Sequence, residues 1–303
     1  MTPEALSYAG AGVDVAAYEK MLARVKPLIE ATLGPAAGGI GQFAGLYEMP
    51  GVGHLAASAD GVGTKIKVAI ALGRHHGIGL DLVNHCVNDI AVMGARPLFM
   101  LDYFAAGKLE AEVFEAVMGG MAAGCQAAGC ALLGGETAEM PGVYALGDYD
   151  LAGFIVGLVQ PGRLPRPEMV AAGDVLVGLP SSGLHTNGFA LVRKVFDEFP
   201  AELLEPHRSY LDELGRLSWK TAAHITGGGI PGNLPRALPP GLTYGLDRGA
   251  WEVPAIFRLI QERGGLEDGE MLATFNLGIG MILVMDPREV PPGALVIGRV
   301  ISG

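Results

Sequence analysis

Residues 60 to 65 read DGVGTK and combine an acid, two glycines, a hydroxyl residue and a lysine. Glycines after a strand let backbone N–H groups approach an anion, and a helix that begins near Thr64 directs its positive end at the same anion. Asp60 has the chemistry to hold Mg²⁺, and Lys65 has the charge to neutralise phosphate. The order differs from the standard phosphate-binding loop, in which lysine precedes the hydroxyl residue. A plain strand–turn–helix connection with a surface lysine explains the stretch equally well, so both interpretations stay open.

Residues 83 to 89 read VNHCVND and form the second stretch with candidate chemistry. On a helix, Asp81, His85 and Asp89 lie four residues apart on one face, with Asn88 beside them. A solvated face is the usual explanation of such a stripe. This one contains no lysine, arginine or glutamate, and its Asn and Asp are weak helix formers. The composition therefore favours a face that binds metal or substrate.

Residues 134 to 142 read GGETAEMPG and continue from a predicted buried strand over 130 to 135. We expect Glu136 and Glu139 in a loop after that strand. Two acids and a hydroxyl group beside tight glycines suit a second metal or a polar substrate. A loop with solvated glutamates is the alternative.

Two further polar stretches lie in the second half of the chain. Residues 181 to 188 read SSGLHTNG, and their hydroxyl and amide groups can donate to an anion, although helix capping by Asn187 is a common alternative. Residues 224 to 229 read HITGGG after a predicted helix over 208 to 224, where a glycine run is often only a C-terminal cap. A lone histidine such as His224 is more often structural than catalytic. The functional interpretation therefore depends on the recurrence of such stretches rather than on any one of them.

The elements that must position these stretches alternate between helix and strand in both halves, which predicts an α+β protein with two α/β domains. Three prolines and a glycine within 160 to 169 mark the best candidate boundary. We expect an N-terminal domain over 1 to 160 and a C-terminal domain over 168 to 303. Predicted helices cover 15–33, 66–72, 80–94, 110–128, 188–196, 208–224 and 253–263. Predicted strands cover 54–59, 97–106, 130–135, 150–159, 174–179, 242–246, 275–285 and 294–301.

The composition excludes several classes of function. At 303 residues and 50% hydrophobic content, the chain is large enough to bury a sizeable core. A net charge of −11 argues against a nucleic-acid surface, which needs clustered lysine and arginine. Three cysteines at spacings that fit no zinc pattern point to reduced thiols, and residues 116 to 135 are too rich in glycine for a membrane span. Because the first residues lack a basic-then-apolar leader, we expect a cytoplasmic protein.

Taken together, these stretches resemble the phosphoribosylformylglycinamidine cyclo-ligase family, also called AIR synthetase. GGETAEMPG with DYFAAGKL is quite specific to that family, whereas DGVGTK alone indicates only the wider ATP-binding superfamily. The matching stretches lie in the family's order and span most of the chain. They are SYAGAGVD (7–14), DGVGTK (60–65), CVNDIAVMGARPLFMLDYFAAGKL (86–109), GGETAEMPG (134–142), SSGLHTNG (181–188), GGGIPGNLPR (227–236) and TFNLGIGM (274–281).

The resemblance implies an ATP-dependent ring closure in purine biosynthesis. Formylglycinamidine ribonucleotide becomes 5-aminoimidazole ribonucleotide, with ADP and phosphate released and Mg²⁺ required. The family fold implies an N-terminal domain that binds ATP and pairs its sheet with that of a second copy in a homodimer. It also implies a C-terminal domain with a mixed sheet flanked by helices. We expect neither nucleic acid nor membrane as a partner.

The resemblance also implies roles for individual residues. Mg²⁺ is expected at Asp60 and Asp89, and the expected catalytic residues are Lys65, His224 and Glu136. His224 suits proton transfer because a neutral imidazole can accept a proton near pH 7. The residues expected to bind ATP and its phosphates are Gly61, Gly63, Thr64, Lys65, Asp81, Asn88 and Lys26, with the loop at 7–14 as a cover. The residues expected to bind substrate are Thr137, Glu139, Ser182, His185, Asn187 and Gly228.

The chain departs from the family pattern in its second half. Ile230 replaces a frequent aromatic residue, Gly232 a frequent acid and Ala273 an arginine. The family's usual Pro-Thr-Arg segment reads Pro-His-Arg at 206 to 208. These departures fall on the substrate side of the expected site rather than on its ATP side.

Other functions remain as alternatives. Selenophosphate synthetase needs a reactive residue near its N-terminal loop, and no cysteine precedes Cys86. Thiamine-monophosphate kinase is not expected to carry GGETAEMPG. A non-catalytic nucleotide-binding module is disfavoured because four polar residues occur together, namely Asp60, Lys65, Asp89 and Glu136. A nicotinamide dehydrogenase would need G-x-G-x-x-G after a strand with a suitably placed acid.

Overall fold

The computed structural model describes residues 6 to 303 and contains two five-stranded sheets with helices around them. The α-helices are α1 (Val15–Glu30), α2 (Lys65–Leu72), α3 (His76–Ala91), α4 (Ala111–Ala128), α5 (Phe189–Val195), α6 (Leu211–Arg216), α7 (Gly229–Asn233), α8 (Ala255–Gly264) and α9 (Asp268–Thr274). The strands are β1 (Gly45–Met49), β2 (Gly53–Gly61), β3 (Ala95–Ala106), β4 (Ala131–Glu139), β5 (Tyr149–Val159), β6 (Val175–Pro180), β7 (Thr221–His224), β8 (Leu242–Leu246), β9 (Ile279–Met285) and β10 (Val296–Ser302). The predicted α+β class with two domains is confirmed.

The first sheet has the strand order β1-β2-β5-β3-β4. β3 and β4 pair in parallel, with α4 as the crossover between them, and the other pairs are antiparallel. One face of the sheet is covered by α3, whose Leu82, Cys86 and Ile90 are fully buried. Because these apolar residues face the sheet, the polar stripe of α3 is left to contact the second domain.

Two glycines set the position of α3 against α4. A Cβ atom at Gly79 would lie 2.1 Å from the carbonyl oxygen of Val117, and one at Gly120 would lie 1.9 Å from that of His76. Both distances are far below van der Waals contact, so only glycine allows the two helices to pack this closely. The contact therefore fixes where α3 holds its polar side chains.

The second sheet has the strand order β7-β9-β6-β10-β8. β9 is buried along its whole length, which explains its uninterrupted apolar sequence. All four pairs of this sheet are antiparallel, so the mixed sheet that the family resemblance implied is wrong. The strand alternation alone does not reveal strand direction, because direction depends on how the connections return to the sheet.

Two predicted elements differ from the structure, and one helix lies where none was predicted. The predicted strand over 130 to 135 is confirmed as part of β4, but β4 continues to Glu139 and is mostly exposed. Its predicted burial and the predicted loop are therefore wrong, because β4 is an edge strand with a neighbour on one side only. The predicted helix over 208 to 224 is wrong as well, because α6 ends at 216 and β7 follows. His224 therefore ends a strand that pairs with β9. α9 lies where the sequence predicts no helix.

The outer face of the first sheet carries exposed apolar side chains. Leu101 and Tyr103 are each 37% exposed, Phe154 is 42% exposed and Leu133 is 64% exposed. Leu101 lies directly opposite Phe154 in the β3–β5 pair, so the two form one patch. Among residues 6 to 303, no helix has the length and apolar character needed to span a membrane. A contiguous apolar patch on a sheet face is typical of a protein–protein contact.

Candidate active site between the two domains

Polar groups of both domains meet where the end of β2 and the polar stripe of α3 face the second domain. The turn from β2 into α2 contains Gly63 in the left-handed region, with φ of 66°, where a side chain would be strained. Most of the meeting side chains are buried. They are Asp60, Lys65, Asp81, His85 and Asp89 from the first domain and His185, Thr186, His207 and His224 from the second.

Lys65 and Asp81 form a fully buried ion pair. Lys65 Nζ lies 2.9 Å from Asp81 Oδ1 and 2.8 Å from Oδ2, and both side chains are 0% exposed. Lys65 also donates to the carbonyl oxygen of Glu205 at 2.8 Å, and the backbone N–H of His207 donates to Asp81 Oδ1 at 2.7 Å. Burial lowers the pKa of Lys65 and raises that of Asp81, while their mutual attraction opposes both changes. The pair thus joins α2 and α3 to the second domain.

Asp60 and His85 form a second pair that is open to the cleft. Asp60 Oδ2 lies 2.6 Å from His85 Nε2, and the Asp60 side chain is 38% exposed. Burial by itself would lower the pKa of His85, but Asp60 and the other nearby carboxylates raise it to about 9. Burial would raise the pKa of Asp60, and the charge and hydrogen bond of His85 instead hold it below its usual value. The pair is therefore ionic at neutral pH.

Asp89 and His224 form the third acid–base pair, which spans the two domains. His224 Nδ1 lies 2.8 Å from Asp89 Oδ1, and Ser58 donates its hydroxyl to Asp89 Oδ2 at 3.2 Å. Burial lowers the pKa of His224, although Asp89 opposes the change. The imidazole is neutral near pH 7, with its Nδ1–H donated to Asp89 and its Nε2 directed away from it.

Thr186 and His207 connect these two pairs through hydrogen bonds. Thr186 Oγ1 lies 2.8 Å from His85 Nδ1 and 3.5 Å from His207 Nδ1. His207 Nε2 in turn lies 3.0 Å from His224 Nε2. Burial holds the pKa of His207 well below its usual value. A chain of hydrogen bonds therefore runs from the carboxylate of Asp60 to that of Asp89.

His185 is strained and incompletely bonded. Its φ is 61°, which is uncommon for a residue other than glycine. Its ring stacks on His207 with centroids 3.9 Å apart, and its buried Nδ1 has no hydrogen-bond partner. Strained backbone and unsatisfied polar atoms often mark functional positions.

Other predicted site residues lie beside the cluster without entering it. Asn88 donates to the carbonyl oxygen of Arg208 at 2.8 Å and accepts from the N–H of Tyr210 at 2.8 Å, so it holds the 206–210 segment in place. Ser182 donates to the carbonyl oxygen of Pro206. Asn187 donates to Thr186 Oγ1 at 3.4 Å, and its Oδ1 approaches Gly227, the residue before Gly228.

Four predicted residues have no direct contact with the cluster in the described structure. Lys26 lies on the exposed helix α1 and pairs with Glu30 at 3.7 Å. Glu136, Thr137 and Glu139 lie on β4, where Glu139 Oε1 accepts from the N–H of Leu109 at 3.0 Å.

Sequence reasoning missed one member of the cluster and gave another a different role. The hydroxyl of Thr186 was expected among the anion donors of the SSGLHTNG stretch, whereas the structure places it between His85 and His207. His207 lies in the Pro-His-Arg segment, and its only signal was the departure from the family's Pro-Thr-Arg pattern. Its distance from His224 in the chain hides the contact that the fold creates.

The donor atoms fit a divalent cation. Asp60 and Asp89 offer carboxylate oxygens, and the ligand atoms of His85, Asp89 and His224 lie within 4.8 Å of one another. Asp60 Oδ1 also accepts the N–H of Gly61 at 2.7 Å, which orients that carboxylate at the mouth of the cleft. Oxygen donors beside a glycine-rich turn match the needs of a cation bound with phosphate.

Comparisons with known proteins agree on one family. The family model for AIR synthase related protein, N-terminal domain, matches residues 41 to 159, and the model for the C-terminal domain matches residues 171 to 291. The phosphoribosylformylglycinamidine cyclo-ligase of Geobacillus thermodenitrificans (strain NG80-2) is 45% identical, over 98% of this chain and 96% of that protein. The protein of the same name from Methylobacillus flagellatus is 46% identical, over 94% of this chain and 88% of that protein.

Among solved structures, AaThiL complexed with AMPPCP and TMP has a TM-score of 0.68 to this chain. The two are 16% identical, and the match covers 98% of this chain and 92% of the other. At that identity the likeness concerns the fold alone. The two family models match the sequence of most of this chain, and the two cyclo-ligases match nearly all of it. The chain therefore belongs to the AIR synthase related family.

Proposed function

We propose that the protein is a phosphoribosylformylglycinamidine cyclo-ligase. It converts formylglycinamidine ribonucleotide and ATP to 5-aminoimidazole ribonucleotide, ADP and phosphate, in the synthesis of purines. The observation that carries the proposal is 45% identity to a cyclo-ligase over nearly the full length of both chains. The cleft between the domains, which is rich in acids and histidines, supports it.

The reaction divides into two steps. An amide oxygen is a poor leaving group, so it first attacks the γ-phosphorus of ATP and ADP departs. A nitrogen of the same molecule then attacks the activated carbon, the ring closes, and the oxygen leaves as phosphate while the nitrogen loses a proton. The first step needs phosphate positioning and charge neutralisation. The second gains from proximity, because nucleophile and electrophile belong to one molecule.

The first domain provides the nucleotide side of the cleft. Asp60 and Asp89 would hold Mg²⁺, which neutralises phosphate charge when bound. The backbone of Gly61, Gly63 and Thr64 lies at the start of α2, where N–H groups can bind phosphate oxygens. Lys65 is paired with Asp81 in this structure, so a direct phosphate contact requires the 205–207 segment to withdraw. The same opening would release Asn88, and Lys26 with the 7–14 loop would cover the nucleotide.

The second domain provides the substrate side. His224 is neutral and bonded to Asp89, so it can accept the proton that the ring nitrogen loses. His185 has a buried nitrogen without a partner, which suits a contact with substrate. Ser182, Asn187 and Gly228 lie nearby and would bind the ribose phosphate. Glu136, Thr137 and Glu139 on the exposed strand β4 would meet the substrate from the first domain.

Product formation and one substitution test this assignment. Purified protein with ATP, Mg²⁺ and formylglycinamidine ribonucleotide should form aminoimidazole ribonucleotide and ADP in equal amounts. Asp60→Asn should abolish turnover and retain the circular dichroism spectrum, because Asp60 lies at the mouth of the cleft. Asp197→Asn, at an exposed position, is the matched control. ATP binding without product from the unmodified protein would favour the non-catalytic alternative.

We also propose a cytoplasmic homodimer formed by the outer face of the first sheet. Leu101 and Phe154 lie opposite each other there, and Leu133 is 64% exposed. Pairing with a second copy would cover this patch, because two sheet faces can pack through their apolar side chains. One chain has a mass of 31.4 kDa. Light scattering should give twice that mass for the unmodified protein and that mass for Phe154→Glu. A monomer at all concentrations would contradict the dimer.

A further inference from the structure

His85 and His224 bring two imidazole nitrogens to the two carboxylates proposed above as Mg²⁺ ligands. The ligand atoms of His85, Asp89 and His224 all lie within 4.8 Å of one another, and all three residues are buried. Asp60 lies outside this mutually close set, but its Oδ2 lies 2.6 Å from His85 Nε2, so it is the adjacent carboxylate. His85 Nε2 and His224 Nδ1 contact Asp60 and Asp89 directly in the metal-free protein, so an ion would displace the protons of these contacts. The cleft then offers nitrogen ligands as well as carboxylate oxygens.

The separation of the two imidazole rings is compatible with one shared ion. The rings of His85 and His224 meet at 77°, with centroids 5.2 Å apart. Two imidazoles bound to one ion through bonds of about 2.1 Å, at a tetrahedral angle, place their centroids about 5 Å apart. The observed ring separation therefore matches the one expected for two imidazoles that share a cation.

Each of these imidazoles is held by its far nitrogen. His85 Nδ1 lies 2.8 Å from Thr186 Oγ1, and His224 Nε2 lies 3.0 Å from His207 Nε2. An imidazole that binds metal through one nitrogen usually has the other in a hydrogen bond, which orients the ring. Thr186 and His207 therefore act as positioning residues for the two ligands.

A second histidine group fits an ion less well. The ligand atoms of His185, His207 and His224 also lie within 4.8 Å of one another. However, the rings of His185 and His207 stack at 17° with centroids 3.9 Å apart. The lone pairs of nearly parallel rings lie in nearly parallel planes, so they do not converge on one ion. The mixed nitrogen and oxygen set is the better cage.

We propose that this site takes a first-row transition-metal dication, of the Mn²⁺ or Zn²⁺ type, in preference to Mg²⁺. Its ligands are Asp60, His85, Asp89 and His224. Mg²⁺ favours water and carboxylate oxygens, whereas imidazole nitrogen suits transition metals. The inference deepens the proposed function and rests on it only for the two carboxylates. With an ion on its Nδ1, His224 acts as a ligand instead of the proton acceptor. Since Asp60 is the exposed member of the set, the ion would lie at the face where the triphosphate enters.

Manganese binding to the metal-free full chain, without nucleotide, tests this site directly. A titration followed by electron paramagnetic resonance should show one Mn²⁺ bound per chain. Pulsed measurements should show ¹⁴N coupling from directly bound imidazole. Displacing half of the bound Mn²⁺ should require at least about a tenfold excess of Mg²⁺. Bound Mn²⁺ without ¹⁴N coupling, or equal competition by Mg²⁺, would overturn the proposal.

Three matched substitutions locate the ligands. His85→Gln should weaken Mn²⁺ binding by about tenfold or more and remove part of the ¹⁴N coupling. His207→Gln retains an acceptor for His224 and should keep the full coupling, as should His76→Gln on the exposed start of α3. Loss of coupling in His207→Gln but not in His85→Gln would overturn the ligand assignment in favour of the stacked group. If His85→Gln does not fold, the ¹⁴N coupling in the unmodified protein decides whether imidazole binds the ion directly.

The same measurements separate this inference from the proposed function. Nitrogen-coupled Mn²⁺ in a protein that forms no aminoimidazole ribonucleotide would support the proposed metal site and refute the proposed cyclo-ligase activity. Turnover with Mg²⁺ in a protein whose bound Mn²⁺ shows no ¹⁴N coupling would support the proposed cyclo-ligase activity and refute the proposed metal site.

Discussion

The Lys65–Asp81 pair and the Asp60–His85 pair each join the DGVGTK stretch to α3 but differ in exposure. Lys65 and Asp81 are both 0% exposed and are bonded to backbone of the second domain. Asp60 is 38% exposed, and its partner His85 belongs to the hydrogen-bonded cluster in the cleft. Charges buried on all sides must stay paired, whereas a charge at the mouth of a cleft can exchange its partner for a ligand. The first pair therefore holds the domains together, and the second is available for chemistry.

The largest expected effect tests the structural pair. Lys65→Met leaves Asp81 buried without its cation and should lower the free energy of unfolding by about 3–5 kcal/mol. Urea unfolding followed by circular dichroism measures the change. The double variant Lys65→Met/Asp81→Asn keeps an acceptor for the His207 N–H and should recover part of the loss. A single variant as stable as the unmodified protein would show that the pair is not structural.

The pH dependence of stability tests the second pair in metal-free protein. The folded pKa of His85, about 9, lies above the unfolded value of about 6.5. Its stabilisation is therefore complete below about pH 6.5 and is lost as pH rises through about 9. We expect a loss of at most about 3 kcal/mol over that range, reduced by solvent screening at Asp60. Asp60→Asn should flatten the profile; an unchanged profile would contradict the ionic pair.

A smaller effect concerns the helix that carries His85 and Asp89. Gly120→Ala would place a Cβ atom 1.9 Å from the carbonyl oxygen of His76, so it should destabilise the protein by about 1–3 kcal/mol. Gly119→Ala is the matched control, because the nearest atom to its Cβ is 3.7 Å away. That variant should be neutral or more stable by up to about 1 kcal/mol. Equal thermal unfolding of both variants would show that the helices do not need this close contact.

The smallest expected effect is on the exposed Lys26, in contrast to the buried Lys65. Lys26 is 51% exposed in its pair with Glu30, so Lys26→Ala should change stability by less than about 0.5 kcal/mol. The same variant tests the proposed cover over the nucleotide, because it should raise the KM for ATP while the urea midpoint stays constant. An unchanged KM would remove Lys26 from the nucleotide site.

Sequence patterns located the parts of the site that depend on neighbouring residues. The spacing of Asp81, His85 and Asp89 predicted one helical face, and α3 presents them on one face. DGVGTK predicted a turn before a helix, and α2 begins at Lys65. Patterns over short segments were less informative around β4 and β7, because a few apolar residues fit strand and helix alike. Those two elements are defined by the strands with which they pair.

By itself the sequence determined the family, the α+β class and which stretches carry polar chemistry, because these properties follow from local residue order. Only the tertiary structure decided which of those residues touch. Lys65 became a buried tie between the domains, and His207 reached His224, because packing of the second sheet against α3 brings distant segments together. Contacts of this kind depend on how much of each side chain the opposing domain covers, and the order of residues along one segment does not contain that information.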